Sequence, residues 1–201
     1  MIILDHEQGT EEWLAARLGK PSASNFSKLI TMTGKPSSSA DKYIDLLVAE
    51  RLTGKSEPFY TNDHMARGNE LEPEAREAYE FISGNTVTEH GFILDDSGEF
   101  GCSPDGLIES GGLEIKCAAQ STHAGYLRDP QIGVKKYYHQ IQGCMWVCDR
   151  QWWDLFLYHP EMPHVLVRVE RDDQFIEALA IEVEKAVNVI LNQVELHQCK
   201  K

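Results

Sequence analysis

The hydrophobic pattern of the chain changes period near residue 86, and this change limits the possible folds more than any other property of the sequence. Before that point apolar residues recur every three to four positions, which is typical of amphipathic helices. Helices are predicted over 10–19, 22–30, 41–53 and 64–82. Ser22 or Ser24 would cap the second helix, and Gly54 and Gly84 would end the third and fourth.

After residue 86, short segments rich in apolar residues are separated by turns of Asp, Ser, Pro and Gly. They predict strands over 87–94, 99–102, 107–109 and 113–117. A helix over 134–148, strands over 152–159 and 164–170 and a long amphipathic helix follow. The apolar stripe of that last helix is Phe175, Leu179, Val183, Val187, Ile190 and Val194. We therefore expect one α/β or α+β domain over 1–201, with N-terminal helices, a mixed central sheet flanked by helices, and a long C-terminal helix.

Composition excludes several classes of protein. The chain has no run of eighteen apolar residues, so no transmembrane segment is expected. Its first apolar residues are soon followed by acidic ones, so we expect no secretory signal and a cytoplasmic protein. Five cysteines in such a chain are expected to be reduced. Cys144 and Cys148 lie one helical turn apart, but no second pair supports a zinc site.

The formal net charge is −13, and nearly all of this excess lies in one segment. Residues 57–114 carry fourteen acidic and two basic residues, whereas the flanking segments are almost neutral. Most of these acids are expected to lie on solvated helix faces. A few of them would be enough to hold a divalent cation, which prefers hard oxygen ligands. The overall charge therefore does not exclude a nucleic acid as the partner.

Three ionisable side chains are predicted to meet at the end of this acidic segment. Asp105 lies in a Ser-Pro-Asp-Gly turn, and Glu114 and Lys116 follow on the next predicted strand. If the two strands pair as a hairpin, Asp105 comes close to Glu114. Strand alternation places Glu114 and Lys116 on one face and Ile115 on the other, in the core. Such charges are costly to hold together unless a cation binds between them.

Metal-assisted phosphodiester hydrolysis requires a grouping of this kind. Carboxylates hold one or two Mg²⁺ or Mn²⁺ ions, which lower the pKa of a bound water and neutralise the charge that develops on the phosphate. A lysine beside them orients the water or helps to deprotonate it. On these residues alone, a metal-dependent nuclease is one hypothesis. A structural hairpin with alternating surface charges is the other.

The two motifs Ser-Pro-Asp105-Gly and Leu-Glu114-Ile-Lys116-Cys together resemble the PD-(D/E)xK nuclease signature. Their context is similar to the phage exonuclease family typified by lambda exonuclease, also called the YqaJ-like viral recombinase family. Further matching motifs, in the same order along the chain, are WLAARLG over 13–19, SAS over 22–24, RG over 67–68, Glu72, AR over 75–76, QIQ over 140–142 and MWV over 145–147.

This resemblance implies a restriction-endonuclease-like core and a set of site residues. Asp105, Glu114 and the carbonyl of Ile115 would bind metal, and Lys116 would position the attacking water. Glu72 would serve the metals or their waters from a helix, and Gln140 would lie near the scissile phosphate. The residues implied in holding the 5′-terminal phosphate or other parts of the DNA are Arg17, Ser24, Ser103, Met65 and Tyr137.

Several of these assignments have alternatives. Glu70 replaces Glu72 if the helix phase differs by two residues, and Gln142 competes with Gln140. Arg17 and Ser24 are also plausible helix caps, and Met65 is a common core residue type. His123 and His139 are expected to be structural or, at most, to contact phosphate. Lys135 and Lys136 are a weak sign of a basic edge for DNA.

The resemblance further implies a Mg²⁺-dependent 5′→3′ exonuclease, for which Mn²⁺ is a possible substitute. It would degrade one strand of linear double-stranded DNA to mononucleotides and leave 3′ single-stranded overhangs. A homotrimeric ring around DNA, a single-strand annealing protein as partner and a bacterial or prophage origin are also implied. Alternatives are another PD-(D/E)xK endonuclease and a non-catalytic protein that binds DNA ends.

Overall fold

The structure is a computed structural model, and it describes residues 1–56 and 63–198. Its helices are α1 (Glu11–Arg17), α2 (Ala40–Thr53), α3 (Asp63–Ser83), α4 (Gln120–Arg128), α5 (Gln131–Val147) and α6 (Asp173–Gln198), with a 3-10 helix at Ala23–Lys28. Its strands are β1 (Ile2–Leu4), β2 (Phe92–Leu94), β3 (Gly101–Cys102), β4 (Gly106–Ile108), β5 (Gly111–Cys117), β6 (Trp152–Tyr158) and β7 (Val165–Glu170).

The strands form two sheets. One has three antiparallel strands in the order β1-β2-β3, and the other has four in the order β4-β5-β6-β7. The larger sheet is mixed, because β5 and β6 run parallel while β4 and β7 pair antiparallel at its edges. The connection between β5 and β6 contains α4 and α5, as a parallel pair requires a long crossover. The sequence therefore predicted the α/β class and the mixed sheet correctly.

Alternation along β6 divides the core into two layers. Trp153, Leu155 and Leu157 belong to the larger cluster, which also contains apolar residues of α2, α5 and α6. Phe156 points to the opposite face, where Ala75 and other apolar residues of α3 cover the sheet. The larger sheet thus lies between α3 on one side and α5 on the other. This arrangement places the polar residues of both helices next to β5.

Most predicted elements are confirmed, including the α3 helix, the β4–β5 hairpin, the last two strands and the buried stripe of α6. The predicted second helix is wrong in type, since Ala23–Lys28 is a 3-10 helix and Ser22 makes no capping hydrogen bond. The predicted strands over 87–94 and 99–102 are too long, because only Phe92–Leu94 and Gly101–Cys102 join a sheet. Neither β1 nor α4 was predicted.

The described cysteines form no disulfide, and three of them, Cys102, Cys144 and Cys148, are buried. The Cys102 and Cys148 sulfur atoms lie 3.5 Å apart. None of the helices in the described ranges is both long and apolar enough to cross a membrane.

Candidate active site

The β4–β5 hairpin brings Asp105 to Glu114 as the sequence predicted. Gly106 pairs with Leu113, so the preceding Asp105 reaches the level of Glu114 and Ile115. The Asp105 Oδ2 atom accepts a hydrogen bond of 2.7 Å from the backbone N–H of Ile115. This bond fixes the Asp105 carboxylate against β5, where only 9% of the residue is exposed.

Glu114 is fully buried, with 0% of its surface exposed. Its Oε1 atom accepts a 2.6 Å hydrogen bond from Gln140 Nε2 and contacts the Lys116 ammonium group. The Lys116 Nζ atom also lies 3.9 Å from Asp105 Oδ2. Glu114 Oε2 has no hydrogen-bond partner among the described residues. A buried carboxylate oxygen without a partner is costly, and a bound cation would remove that cost.

The pKa values reflect this crowding. Burial raises the pKa of Glu114 to about 8, and the nearby Asp105 charge acts in the same direction, while Lys116 opposes both. Burial by itself would lower the pKa of Lys116, but the Glu114 and Asp105 carboxylates raise it overall. The ammonium form of Lys116 thus serves as the local cation beside the two carboxylates.

Glu72 comes to the same place from α3. Burial raises its pKa to about 7, and the charge of Asp105 acts in the same direction. Arg76 links the two residues, because its Nε atom donates to the Asp105 carbonyl at 3.3 Å. Glu72 Oε1 accepts a 2.6 Å hydrogen bond from Arg76 Nη2, one helical turn later. Glu70 is exposed. The structure therefore brings Glu72, and not Glu70, into the group.

The donor set fits a divalent cation. Asp105 and Glu114 offer hard carboxylate oxygens, and Glu114 Oε2 has no partner among the described residues. Glu72 adds a third carboxylate, which Arg76 links to the Asp105 turn. Within the described ranges no three His, Cys, Asp or Glu side chains already surround an ion site. The positive charge that lies beside Glu114 and Asp105 in this structure is the Lys116 ammonium group.

The two candidate glutamines of α5 have different partners. Gln140 contacts Glu114, as described above. Gln142 is fully buried, donates a 2.9 Å hydrogen bond to the carbonyl of Glu170 and accepts another from the backbone N–H of Asp172. Gln142 therefore joins α5 to the segment before α6, and only Gln140 reaches the carboxylates.

A second polar group lies at the other end of the same Ser-Pro-Asp-Gly turn. Arg17 donates a 2.7 Å hydrogen bond to the Ser103 hydroxyl, and its guanidinium stacks 4.3 Å above the Trp13 ring. Trp13 also donates to Ser103 Oγ at 3.2 Å. Ser24 is exposed and hydrogen-bonds the buried Ser22 at 3.3 Å. Only Pro104 separates Ser103 from Asp105 along the chain, so the turn places the Arg17–Ser103 pair close to the carboxylates.

The remaining predicted residues lie around this region or outside the description. The Tyr137 ring lies 5.4 Å from Lys116 Nζ and 5.1 Å from Lys136 Nζ. The side chain of Met65 lies outside the described residues. Lys135 is exposed.

The two histidines near the motif are structural in their contacts. His123 is buried and its Nε2 atom contacts the carbonyl of Pro163 at 2.8 Å. His139 packs against Phe175, and burial lowers its pKa.

The sequence prediction missed two contact residues of the site, Arg76 and Trp13. Arg76 contacts Glu72 and the Asp105 carbonyl, and Trp13 contacts Arg17 and Ser103. In both cases the available signal was helical spacing, since Arg76 follows Glu72 by four residues and Trp13 precedes Arg17 by four.

Comparison with known proteins identifies the relatives of this arrangement. The model of the YqaJ-like viral recombinase domain matches residues 12–151. The crystal structure of an alkaline exonuclease, LHK-Exo, from Laribacter hongkongensis has a TM-score of 0.84 and 37% sequence identity, over 95% of this chain and 97% of that one. A second structure of LHK-Exo is a complex with dAMP, at 36% identity and a TM-score of 0.84, with the same coverage.

A phage-related exonuclease from Haemophilus somnus 129PT shares the fold, with a TM-score of 0.72 at 18% identity over 90% of this chain and 96% of that one. None of the curated proteins matches the chain with statistical significance. The family match covers well over half of the sequence and includes every residue of the carboxylate group. The chain belongs to the YqaJ-like viral recombinase family.

Proposed function

We propose that this protein is a metal-dependent exonuclease that degrades one strand of linear double-stranded DNA in the 5′→3′ direction. The observation that carries this proposal is the buried Glu114 with an unpartnered oxygen beside Asp105 and Lys116. Burying that oxygen without a hydrogen bond costs free energy, and a cation bound beside Asp105 would remove this cost. The relatives that share the fold are exonucleases, which supports the same class of reaction here.

In this proposal Asp105, Glu114 and the carbonyl of Ile115 hold Mg²⁺ or Mn²⁺, and Glu72 serves the ion or its waters. The chemistry that one or two such ions supply is a lower pKa for a water and neutralisation of charge on the phosphate. Lys116 holds and orients the attacking water, since its ammonium group already lies beside both carboxylates. Gln140 keeps the Glu114 carboxylate in place through its 2.6 Å hydrogen bond.

The 5′→3′ direction is proposed from the group around Arg17. A guanidinium held by Trp13 and directed at the Ser103 hydroxyl is well suited to a terminal phosphate, which prefers arginine and short hydroxyl donors. Ser24 would contribute a second hydroxyl, and Met65 and Tyr137 would contact the DNA nearby. Because Ser103 and Asp105 share one turn, a 5′-phosphate in this pocket would lie next to the bond to be cut.

Mononucleotide release is supported by the relative that has been crystallised with dAMP. The family description, a viral recombinase, supports a role in phage-type recombination. The product would then be a 3′ single-stranded overhang, passed to a single-strand annealing protein. We also propose that each chain forms one domain and that three chains form a ring around the DNA.

The decisive experiment uses linear duplex DNA labelled at either the 5′ or the 3′ end, incubated with Mg²⁺ or with a chelator. We expect label to be released first from the 5′ end, as mononucleotide, and only with the metal. Circular duplex cut at a similar rate would instead indicate an endonuclease. Lys116→Ala should bind the same DNA without cutting it, and full cleavage by this variant would contradict the role given to the lysine.

The 5′-phosphate pocket has its own test with the same substrates. Removing the 5′-phosphate from the duplex should slow the wild-type protein strongly and should slow Arg17→Ala much less. Equal slowing of both proteins would show that Arg17 does not contact the terminal phosphate.

A further inference from the structure

Arg76 contacts the carboxylate group from α3, in addition to the proposed metal ligands and Lys116. Its guanidinium makes three contacts in different directions. Nη2 donates to Glu72 Oε1 at 2.6 Å, Nη1 lies 3.0 Å from Glu89 Oε2, and Nε donates to the backbone carbonyl of Asp105 at 3.3 Å. The Arg76 side chain is only 13% exposed.

These contacts join two elements that approach from different parts of the chain. Glu72 is carried by α3, whereas Asp105 is carried by the turn before β4. The apolar packing of α3 on the sheet fixes their approximate separation, but it does not fix the rotation of the Glu72 carboxylate. The bond from Arg76 to Glu72 fixes that rotation, and the bond to Asp105 ties the same guanidinium to the turn.

An ordinary helix ion pair does not explain this arrangement. Exposed pairs four residues apart contribute little and need no third partner. Here the guanidinium is largely buried, and one of its donors is used on a main-chain carbonyl that lies 29 positions further along the chain. Only arginine offers several donors in a rigid planar fork, whereas lysine offers a single point charge.

We infer that Arg76 is a positioning residue, which holds Glu72 and the Asp105 turn in one fixed geometry around the proposed metal site. This inference rests on the proposed function, because the fixed geometry matters only if the carboxylates bind a metal ion. Groups that orient metal ligands through hydrogen bonds typically change metal affinity or activity by 10- to 100-fold when they are removed.

The test measures metal binding in the absence of DNA, so that it does not depend on activity. Mn²⁺ is titrated into wild type, Arg76→Gln, Arg76→Lys and the control Glu89→Gln, with calorimetric detection. Glu89 is the matched control because it contacts the same guanidinium but its side chain is 66% exposed. We expect Arg76→Gln and Arg76→Lys to weaken Mn²⁺ binding about tenfold, and Glu89→Gln to change it less than about twofold.

The same four proteins are then assayed on linear duplex at increasing Mg²⁺. A positioning role predicts that the Mg²⁺ concentration for half-maximal cleavage rises in both Arg76 variants, while the KM for DNA stays close to that of the wild type. A general loss of stability would lower activity without changing that concentration. Arg76→Lys keeps the positive charge, so it remains informative if Arg76→Gln folds poorly.

Two results would contradict the inference, and they can be told apart. Unchanged Mn²⁺ affinity in folded Arg76 variants would overturn the positioning role alone. Absence of Mn²⁺ binding by the wild type would overturn the proposed function together with it. The loss of Mn²⁺ binding free energy in the double variant Arg76→Gln, Glu72→Gln should be smaller than the sum of the losses in the two single variants. The reason is that the two residues act through one contact.

Discussion

Two buried carboxylates on neighbouring strands of the same sheet differ in how completely they are satisfied. Asp154 of β6 accepts hydrogen bonds at both oxygens, from Tyr79 at 2.8 Å and from Arg168 at 2.9 and 3.0 Å. Glu114 of β5 has partners at one oxygen, while the other has none among the described residues. Both residues are almost completely buried.

This difference shows that burial of a carboxylate does not by itself indicate a functional site. Asp154 lies on the α3 face of the sheet, where its partners complete a structural network. Glu114 lies on the opposite face, beside another carboxylate and a lysine, and none of the described residues donates a hydrogen bond to its Oε2 atom. A buried carboxylate oxygen without a partner destabilises the fold, and this difference is the reason why we propose the metal site at Glu114 and not at Asp154.

The largest expected effect comes from Glu114→Gln, which keeps the shape of the side chain but removes its charge. Loss of a metal carboxylate should lower the rate of DNA cleavage by about 10³-fold, which corresponds to about 4 kcal/mol of transition-state stabilisation. The free energy of unfolding should change little near pH 7, because burial raises the pKa of Glu114 to about 8 and the side chain is already largely neutral there. Cleavage assays and urea denaturation measure both quantities.

A Glu114→Gln protein that cleaves DNA within tenfold of the wild-type rate would contradict the proposed difference between a functional Glu114 and a structural Asp154. So would a variant that loses several kcal/mol of stability, since Glu114 would then resemble Asp154.

The second prediction concerns Asp154→Ala, which should affect stability and not chemistry. Removing this carboxylate leaves the buried Tyr79 hydroxyl without an acceptor and Arg168 without its partner. We expect the free energy of unfolding to fall by about 3 kcal/mol. The activity of each folded molecule should remain close to that of the wild type.

The matched control is Asp173→Ala, which removes the carboxylate from the Arg171 ion pair. The Asp173 side chain is 83% exposed, so this change should cost less than about 1 kcal/mol. Thermal denaturation together with a cleavage assay below the unfolding transition separates the two effects. An Asp154→Ala protein that is stable but inactive would contradict the structural role given to Asp154.

The smallest expected effect is a dependence of stability on pH. The pKa values of Glu114, about 8, and Glu72, about 7, are raised in the folded protein, chiefly by burial. Between about pH 4.5 and pH 8 the folded state therefore keeps protons that the unfolded state has released. The free energy of unfolding of the metal-free protein should decrease as the pH rises through this range and level off above it.

Denaturation of the metal-free protein at several pH values measures this slope. Glu114→Gln should reduce it, and Mg²⁺ should reduce it as well by taking the place of the proton. The control Glu177→Gln, at an exposed position on α6, should leave it unchanged. Equal slopes in the wild type and in Glu114→Gln would show that Glu114 does not retain a proton in the folded protein.

The sequence predicted the centre of the site because that centre is local. Strand alternation and a short hairpin are enough to bring Asp105, Glu114 and Lys116 together, and the structure does so. The choice between neighbouring candidate residues stayed open where it depends on tertiary packing. Glu70 and Glu72 differ only in the phase of α3 against the sheet, which hydrophobic periodicity does not determine to within two residues.

The missed parts of the fold have a similar cause. Within α4 only His123 and Tyr126 are buried, so the helix shows no apolar stripe in the sequence. The segment over 87–94 alternates as a strand would, but Thr88 makes only an isolated bridge to Leu107. Whether such a segment joins a sheet depends on its distant partners and not on its own pattern.

The most direct test of the central claim is anomalous diffraction from crystals grown or soaked with Mn²⁺. The account predicts an anomalous peak for an ion bound by Asp105 and Glu114, with Lys116 moved away from Glu114 Oε1. Crystals of Glu114→Gln should show no such peak. A saturating Mn²⁺ concentration that leaves Lys116 in contact with Glu114 and shows no peak between the two carboxylates would contradict it.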